Sequence, residues 1–120
     1  MIKVLVVDSN LVYARKVSQV LEKHTKDIEV DIAHNIFILR DRLKKNEYSL
    51  ILADIMSASH PSELAFVLEE VQTPVILWTF AKSLELLRCS TNSQVMEKPV
   101  DPEEVSARLS GCFASLSVSA

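Results

Sequence analysis

Four polar side chains stand directly after short apolar runs in this chain: Asp8, Asp54, Thr79 and Lys98. Carboxylates can bind cations or act as nucleophiles, a hydroxyl can follow a ligand by hydrogen bonding, and a lysine supplies a compact positive charge. Taken singly, each has a simple interpretation as a polar residue where a strand meets solvent. An acid, an acid, a hydroxyl and a lysine in this order favour a functional site instead.

The elements that would position these residues alternate along the chain. Short runs of β-branched and apolar residues predict five strands, and apolar residues at helical spacing predict five helices between and after them. The predicted strands are Ile2–Val7, Ile28–Ala33, Ser49–Ala53, Pro74–Trp78 and Gln94–Glu97. The predicted helices are Asn10–His24, Asn35–Lys45, Ser62–Glu70, Ser83–Cys89 and a last one that begins at Asp101, with Val105, Leu109, Cys112 and Leu116 inward.

This alternation predicts the fold class. Strands that alternate with helices form an α/β fold, here a doubly wound five-stranded parallel sheet with right-handed crossovers and helices on both faces. A chain of 120 residues is expected to form one domain, residues 1–120, around one core. In such a sheet the ligand site lies beyond the carboxyl ends of the strands. We therefore expect Asp8, Asp54, Thr79 and Lys98 to converge at one end of it.

Composition narrows the class of protein. The net charge of −3 gives no basic excess, so we expect no nucleic-acid binding by this domain. Gly111 is the one glycine of the chain, which argues against the glycine-rich phosphate loops of Rossmann and P-loop proteins. No secretory signal and no apolar run of about 20 residues is present, so a cytoplasmic protein without membrane contact is expected. The cysteines Cys89 and Cys112 are expected to be buried thiols in a reducing compartment.

Four segments carry a resemblance to a known family. They are Val6–Asn10, Leu50–Met56, Pro74–Thr79 and Lys98–Asp101. With these motifs in this order, the chain resembles the receiver domain of bacterial response regulators, a flavodoxin-like (βα)5 fold, over essentially its whole length. The lysine-proline pair ahead of the last helix is the most specific of the four.

The resemblance implies a role for each site residue. Asp54 would be the phosphorylated residue, and Asp8 would join it in an acidic pocket for Mg²⁺, which the backbone carbonyl of Met56 would also face. The hydroxyl of Thr79 would follow the phosphoryl group, and Lys98 would pair with the phosphoryl oxygens. The bond from Lys98 to Pro99 would be cis, which costs about 0.5–1 kcal/mol relative to trans.

The resemblance also implies partners. A receiver is a signalling module of a two-component phosphorelay rather than a metabolic enzyme. A histidine kinase or phosphotransfer protein would supply the phosphoryl group, and an effector protein, an output domain or a second copy of the chain would dock on the switched surface. That surface is expected around Arg88, Val95 and Glu104.

Three departures from the family pattern are visible. Ser9 stands where receivers usually carry a second acid that binds Mg²⁺ directly. The segment from Asp54 to Thr79 is several residues shorter than usual. Val95 stands at the position of the aromatic switch residue. Two interpretations follow: a working receiver with a weak metal site, or a pseudo-receiver that binds proteins independently of phosphorylation.

Two other classes share parts of the pattern. A haloacid-dehalogenase-type phosphatase needs a second aspartate two residues after its nucleophile, and the chain has Asn10 there. A flavodoxin-like FMN binder needs a Ser/Thr/Gly loop after the first strand, and Asp8 makes that loop acidic. His60 precedes the third predicted helix and is expected to cap it. Trp78 is expected to lie in the core.

Overall fold

In the computed structural model, residues 1–91 and 93–119 are described, with side chains as far as residue 114. Five strands form one parallel sheet in the order β2-β1-β3-β4-β5. They are β1 (Ile2–Val7), β2 (Ile28–Ala33), β3 (Leu50–Ala53), β4 (Val75–Thr79) and β5 (Gln94–Glu97). The predicted doubly wound five-stranded sheet is confirmed.

A helix follows each strand. They are α1 (Leu11–His24), α2 (Ile36–Lys45), α3 (Pro61–Glu69), α4 (Ala81–Ser90) and α5 (Val105–Ser119), the last preceded by a 3₁₀ turn at Pro102–Glu104. Short polar side chains cap two of them and the 3₁₀ turn: Asn10 accepts from the Tyr13 N–H, Asn35 from the Ile38 N–H and Asp101 from the Glu103 N–H. These bonds satisfy N–H groups that lack a partner at a helix start.

The sheet separates two apolar clusters. Because successive side chains of a strand point to opposite faces, β1 sends Val4 and Val6 to one cluster and Leu5 and Val7 to the other. Helices α1 and α5 cover the first cluster, and α2, α3 and α4 cover the second. None of the helices in the described part of the chain is long and apolar enough to cross a membrane.

The bounds of some elements differ from the prediction. Strand β4 extends to Thr79 because this residue still pairs with Glu97 of β5. Helix α4 begins at Ala81, two residues earlier than expected. The inward face of α1 is also rotated. The apolar spacing predicts an inward face of Leu11, Ala14, Val17, Ser18 and Leu21, whereas Tyr13 and Val20 are buried and Leu11 and Ser18 are half-buried.

Two further predictions concern single residues. Trp78 is fully buried, as expected. Cys89 is exposed and Cys112 half-buried, so the expectation of two buried thiols is wrong for Cys89, which lies in the last turn of α4. The inward position predicted for Leu116 lies outside the described side chains.

Candidate functional site

The fold brings the four residues selected from the sequence to one end of the sheet. Asp8 follows β1 and Asp54 follows the neighbouring β3, while Thr79 ends β4 and Lys98 follows β5. Backbone hydrogen bonds continue the parallel pairing to both acids: the Asp8 N–H donates to Ala33 O and the Asp54 N–H to Val7 O. The predicted convergence is confirmed.

Lys98 is the centre of the site. Its Nζ lies 2.6 Å from Asp8 Oδ2 and donates a hydrogen bond of 2.8 Å to Asp54 Oδ2. All three side chains are buried, at 1% exposure for Asp8, 2% for Asp54 and 1% for Lys98. Burial of charge is costly unless the charges are paired. With both carboxylates ionised, the single ammonium balances only one of them, and the cluster carries one net negative charge.

Two aromatic rings complete the surroundings of the lysine. The ammonium lies 4.3 Å from the centroid of the Tyr13 ring and 4.6 Å from that of Phe80. Sequence reasoning missed both as site residues. Phe80 could have been found as the residue next to Thr79, whereas no local signal singles out Tyr13.

Ser9 connects two loops of the site. Its hydroxyl donates to the Ser57 carbonyl at 2.7 Å, which joins the loop after β1 to the loop after β3. Ser57 in turn donates its N–H to Asp54 Oδ1 and its hydroxyl to the Asp54 carbonyl, each at 3.1 Å. The residue at the position of the missing acid therefore helps to hold the loop that carries Asp54.

The remaining predicted residues lie around this cluster. Thr79 is buried, and its carbonyl accepts a 2.7 Å hydrogen bond from the Lys98 N–H. Met56 is half-buried, and its side chain packs against the apolar cluster under α3 and α4. Val95 is half-buried in that same cluster, on the face of the sheet opposite to Phe80.

The Lys98–Pro99 bond is trans, so the predicted cis bond is wrong; the structure has no cis peptide bond among the residues that it describes. Trans is the favoured isomer before proline. With a trans bond the lysine already reaches both carboxylates.

The site opens onto a cavity of about 270 Å³. Both acids line it, together with residues at the starts of α2 and α3. Its lining is Val7, Asp8, Ser9, His34, Asn35, Ile36, Phe37, Asp54, Ala58, Ser59, His60, Glu63 and Leu64. His60 occupies the N-cap position of α3, but its side chain makes no capping bond within the described residues, so the expected capping role is wrong. His60 lines the site cavity instead.

Burial controls the acidity of Asp8. Desolvation raises the pKa of its carboxyl above the ordinary 3.8, although the hydrogen bond and positive charge of Lys98 act in the opposite direction. A raised pKa in the folded state means that the fold favours the protonated form. Ionisation of Asp8 at neutral pH therefore destabilises the protein.

Asp8→Asn is expected to raise the free energy of unfolding at pH 7, by on the order of 1 kcal/mol, a typical single-site effect. Lys98 keeps its partner Asp54 in this variant, and the asparagine oxygen can still accept from the Asn10 N–H. The gain should be present above the folded pKa of Asp8, shrink as the pH falls through that value and vanish below 3.8, where aspartic acid is neutral in both states.

Urea unfolding of both proteins across this pH range, with a chelator present, measures the difference. Asp41→Asn is the control, because Asp41 forms an exposed pair with Lys45 whose contribution is small. A variant that is less stable than the wild type at pH 7 would contradict the expectation.

Asp8 and Asp54 are the candidate protein ligands for Mg²⁺. This ion keeps several waters and is usually held by one or two carboxylates with carbonyl oxygens, which Asp8 and Asp54 on neighbouring strands can supply. Among the described residues, no three His, Cys, Asp or Glu side chains are grouped closely enough to hold a metal ion by themselves. The residues fit a magnesium site with few protein ligands.

The chain is similar to known proteins in its three-dimensional structure. No family model and no curated protein matches the chain. Solved structures do match it over nearly its whole length, and many of them are response-regulator receiver domains. A two-component response regulator from Clostridium difficile superposes with a TM-score of 0.72 at 20% identity, with 95% of this chain and 97% of that chain covered.

Two more structures show the same similarity. A receiver domain (CheY-like) from Methylobacillus flagellatus gives a TM-score of 0.72 at 17% identity, with 97% and 98% of the chains covered. The response regulator TrrA from Thermotoga maritima, in complex with Mg²⁺-BeF, gives 0.71 at 19% identity, with 97% and 99% covered. At these identities the matches establish the fold: the chain has the receiver-domain fold.

Proposed function

We propose that the chain is a receiver module of a two-component signalling system and accepts a phosphoryl group on Asp54. One observation carries the proposal: a buried carboxylate pair and a buried lysine meet at the carboxyl end of a receiver-type sheet. Lys98 Nζ lies within 2.8 Å of a carboxylate oxygen of both Asp8 and Asp54, although the three residues come from three separate loops. A cluster of this kind costs stability, which is typical of functional sites.

The chemistry is nucleophilic transfer. A carboxylate oxygen of Asp54 attacks the phosphorus, the bond between phosphorus and the donor breaks, and its electron pair leaves with the donor. The product is an acyl phosphate. Positive charge must offset the negative charges that approach each other, and the Lys98 ammonium, 2.8 Å from Asp54 Oδ2, supplies one such charge.

Asp8, Asp54 and the backbone carbonyl of Met56 would hold Mg²⁺ in this proposal. The ion would supply further positive charge beside the phosphoryl oxygens. Ser9 adds no charge, and its hydroxyl is engaged with Ser57. We therefore expect weak binding of the metal.

The partners follow from the signalling role. A histidine kinase or phosphotransfer protein would donate the phosphoryl group through the cavity in front of Asp54. The Thr79 hydroxyl would bond to the new phosphoryl group and change the face around Arg88, Val95 and Glu104, of which Arg88 and Glu104 are exposed. A similar fold forms the N-terminal domain of a response regulator/sensory box/GGDEF three-domain protein from Carboxydothermus hydrogenoformans. This similarity supports an output domain or an effector protein as the partner that responds to phosphorylation.

Incubation with acetyl phosphate tests the proposal. Intact-mass spectrometry should show one added phosphoryl group, more of it with MgCl₂ than with a chelator, and hydroxylamine should remove it as it does an acyl phosphate. Asp54→Asn should abolish the adduct because an amide lacks the nucleophilic carboxylate oxygen.

The matched control is Asp31→Asn. Asp31 is a half-buried aspartate on β2 that accepts from the Tyr48 hydroxyl, away from Asp54, and its amide variant should be phosphorylated at the wild-type rate. An adduct that persists in Asp54→Asn, or a wild-type protein that stays unmodified with both acetyl phosphate and MgCl₂, would overturn the proposal.

A further inference from the structure

The Lys98 ammonium is enclosed on two sides by chemically different groups. The carboxylates of Asp8 and Asp54 lie 2.6 and 2.8 Å away, and the rings of Tyr13 and Phe80 lie 4.3 and 4.6 Å away. The face of an aromatic ring attracts a cation, and the attraction is strongest where water is excluded, as it is around this side chain with 1% exposure. We call Tyr13 and Phe80 the aromatic cage.

The cage is itself held in place. The two rings meet edge to face, with centroids 5.6 Å apart and planes at 85°, a favourable arrangement. The Tyr13 hydroxyl donates to the carbonyl of Pro99, the residue next to Lys98. Phe80 occupies the N-cap position of α4, and its carbonyl accepts from the Ser83 N–H. Each ring is therefore attached to a segment next to the site.

We propose that Tyr13 and Phe80 are positioning residues that hold the Lys98 ammonium between the two carboxylates. Lysine has a flexible four-carbon stem, and its ammonium can donate in many directions. Both carboxylates attract the ammonium, and their attraction alone does not fix its position between Asp8 and Asp54. The two ring faces contact the ammonium from another side and limit the positions that it can occupy. This inference rests on the proposed function, because the position matters most when Asp54 receives a phosphoryl group.

The cage is also adjacent to Thr79. Phe80 is the next residue along the chain, so a displacement of Thr79 changes the contact between the Phe80 ring and Lys98. Val95 packs on the opposite face of the sheet, and Tyr13 and Phe80 pack with the cluster under α1 and α5. Val95, at the position of the aromatic switch residue, has no ring. The aromatic residue next to Thr79 in this chain is Phe80, which packs on the other face of the sheet.

Fluorinated phenylalanines test the attraction without changing the shape of the cage. Incorporation of mono-, di- and trifluorophenylalanine at position 80 withdraws electron density from the ring face step by step at nearly constant size. The rate of Asp54 phosphorylation by acetyl phosphate should fall along the series, by roughly tenfold at the last member. The same series at Phe66, an exposed aromatic residue of α3, is the control and should leave the rate unchanged.

A second readout does not depend on phosphorylation. In protein labelled with ¹³C-lysine, ring currents should shift the ε-methylene signal of Lys98 upfield, and the signal can be assigned by its loss in Lys98→Arg. Tyr13→Leu and Phe80→Leu should each reduce this shift, whereas Tyr13→Phe keeps the ring and should retain it. Urea unfolding of each variant confirms that it is folded under the conditions of the measurement.

The outcomes separate the two ideas. A wild-type protein that is not phosphorylated removes the proposed function, and the Lys98 signal then decides the cage alone: an upfield shift that depends on both rings supports it, and an unshifted signal overturns it. A wild-type protein that is phosphorylated at a rate indifferent to fluorination at position 80 overturns the positioning role and leaves the proposed function in place.

Discussion

Lys98→Met lowers the free energy of unfolding at pH 7 by about 3–5 kcal/mol, the usual cost of removing one partner from a buried ion pair. Methionine fills much of the space of the lysine stem, so the loss comes from charge rather than from a cavity. Without the ammonium, Asp8 and Asp54 are left as two buried carboxylates that have lost their shared cation. Lys98 opposes the raised pKa of the Asp8 carboxyl, so its removal favours the protonated form of Asp8 further.

The pH dependence distinguishes this cause from a packing defect. The deficit should be largest at pH 7 and decrease on acidification, because protons neutralise the carboxylates that the lysine no longer balances. Urea unfolding at several pH values, with a chelator present, measures it. Lys45→Met is the control: this lysine is exposed and pairs with Asp41, so its loss should change stability by less than about 1 kcal/mol. An equal deficit at all pH values would contradict the charge argument.

Ser9→Asp binds Mg²⁺ at least roughly tenfold more tightly than the wild type, since one unit charge about 4 Å from another contributes about 1 kcal/mol even in water and a divalent ion doubles this. Ser9 is exposed at the mouth of the site, so the new carboxylate is not strongly desolvated. Isothermal titration with MgCl₂ measures the affinity. Phosphorylation of Asp54 by acetyl phosphate should become faster in parallel.

Ser9→Asn separates charge from the loss of the serine contact. Both variants remove the 2.7 Å hydrogen bond from Ser9 to the Ser57 carbonyl, but asparagine is neutral and has the same length as aspartate. Only Ser9→Asp should gain affinity. If neither variant differs from the wild type in Mg²⁺ binding or phosphorylation, the missing charge at position 9 does not limit metal binding. The short loop after Asp54 is then the cause of the weak binding.

The fold and the convergence of the site could be predicted from local patterns. Strands β1 and β2 have the predicted bounds. Ile2–Val7 is an almost continuous apolar run because both faces of a central strand are buried, and Ile28–Ala33 alternates apolar and acidic residues because its two faces differ in exposure. Parallel strands end at the same edge of the sheet, so Asp8, Asp54 and Lys98 had to lie near one another once the strands were identified. These conclusions need only residue order and general sheet geometry.

The contacts inside the site depend on how distant segments pack. Ser9 and Ser57 are 48 residues apart, and Tyr13 and Pro99 are 86 residues apart, so the apolar period of α1 says nothing about either contact. Helix α1 is rotated so that Tyr13 is buried, and this rotation depends on the fit of its side chains against the sheet and α5. The choice of side-chain rotamers then directs Lys98 to two carboxylates and two rings at once, a contact set that a one-dimensional pattern does not encode.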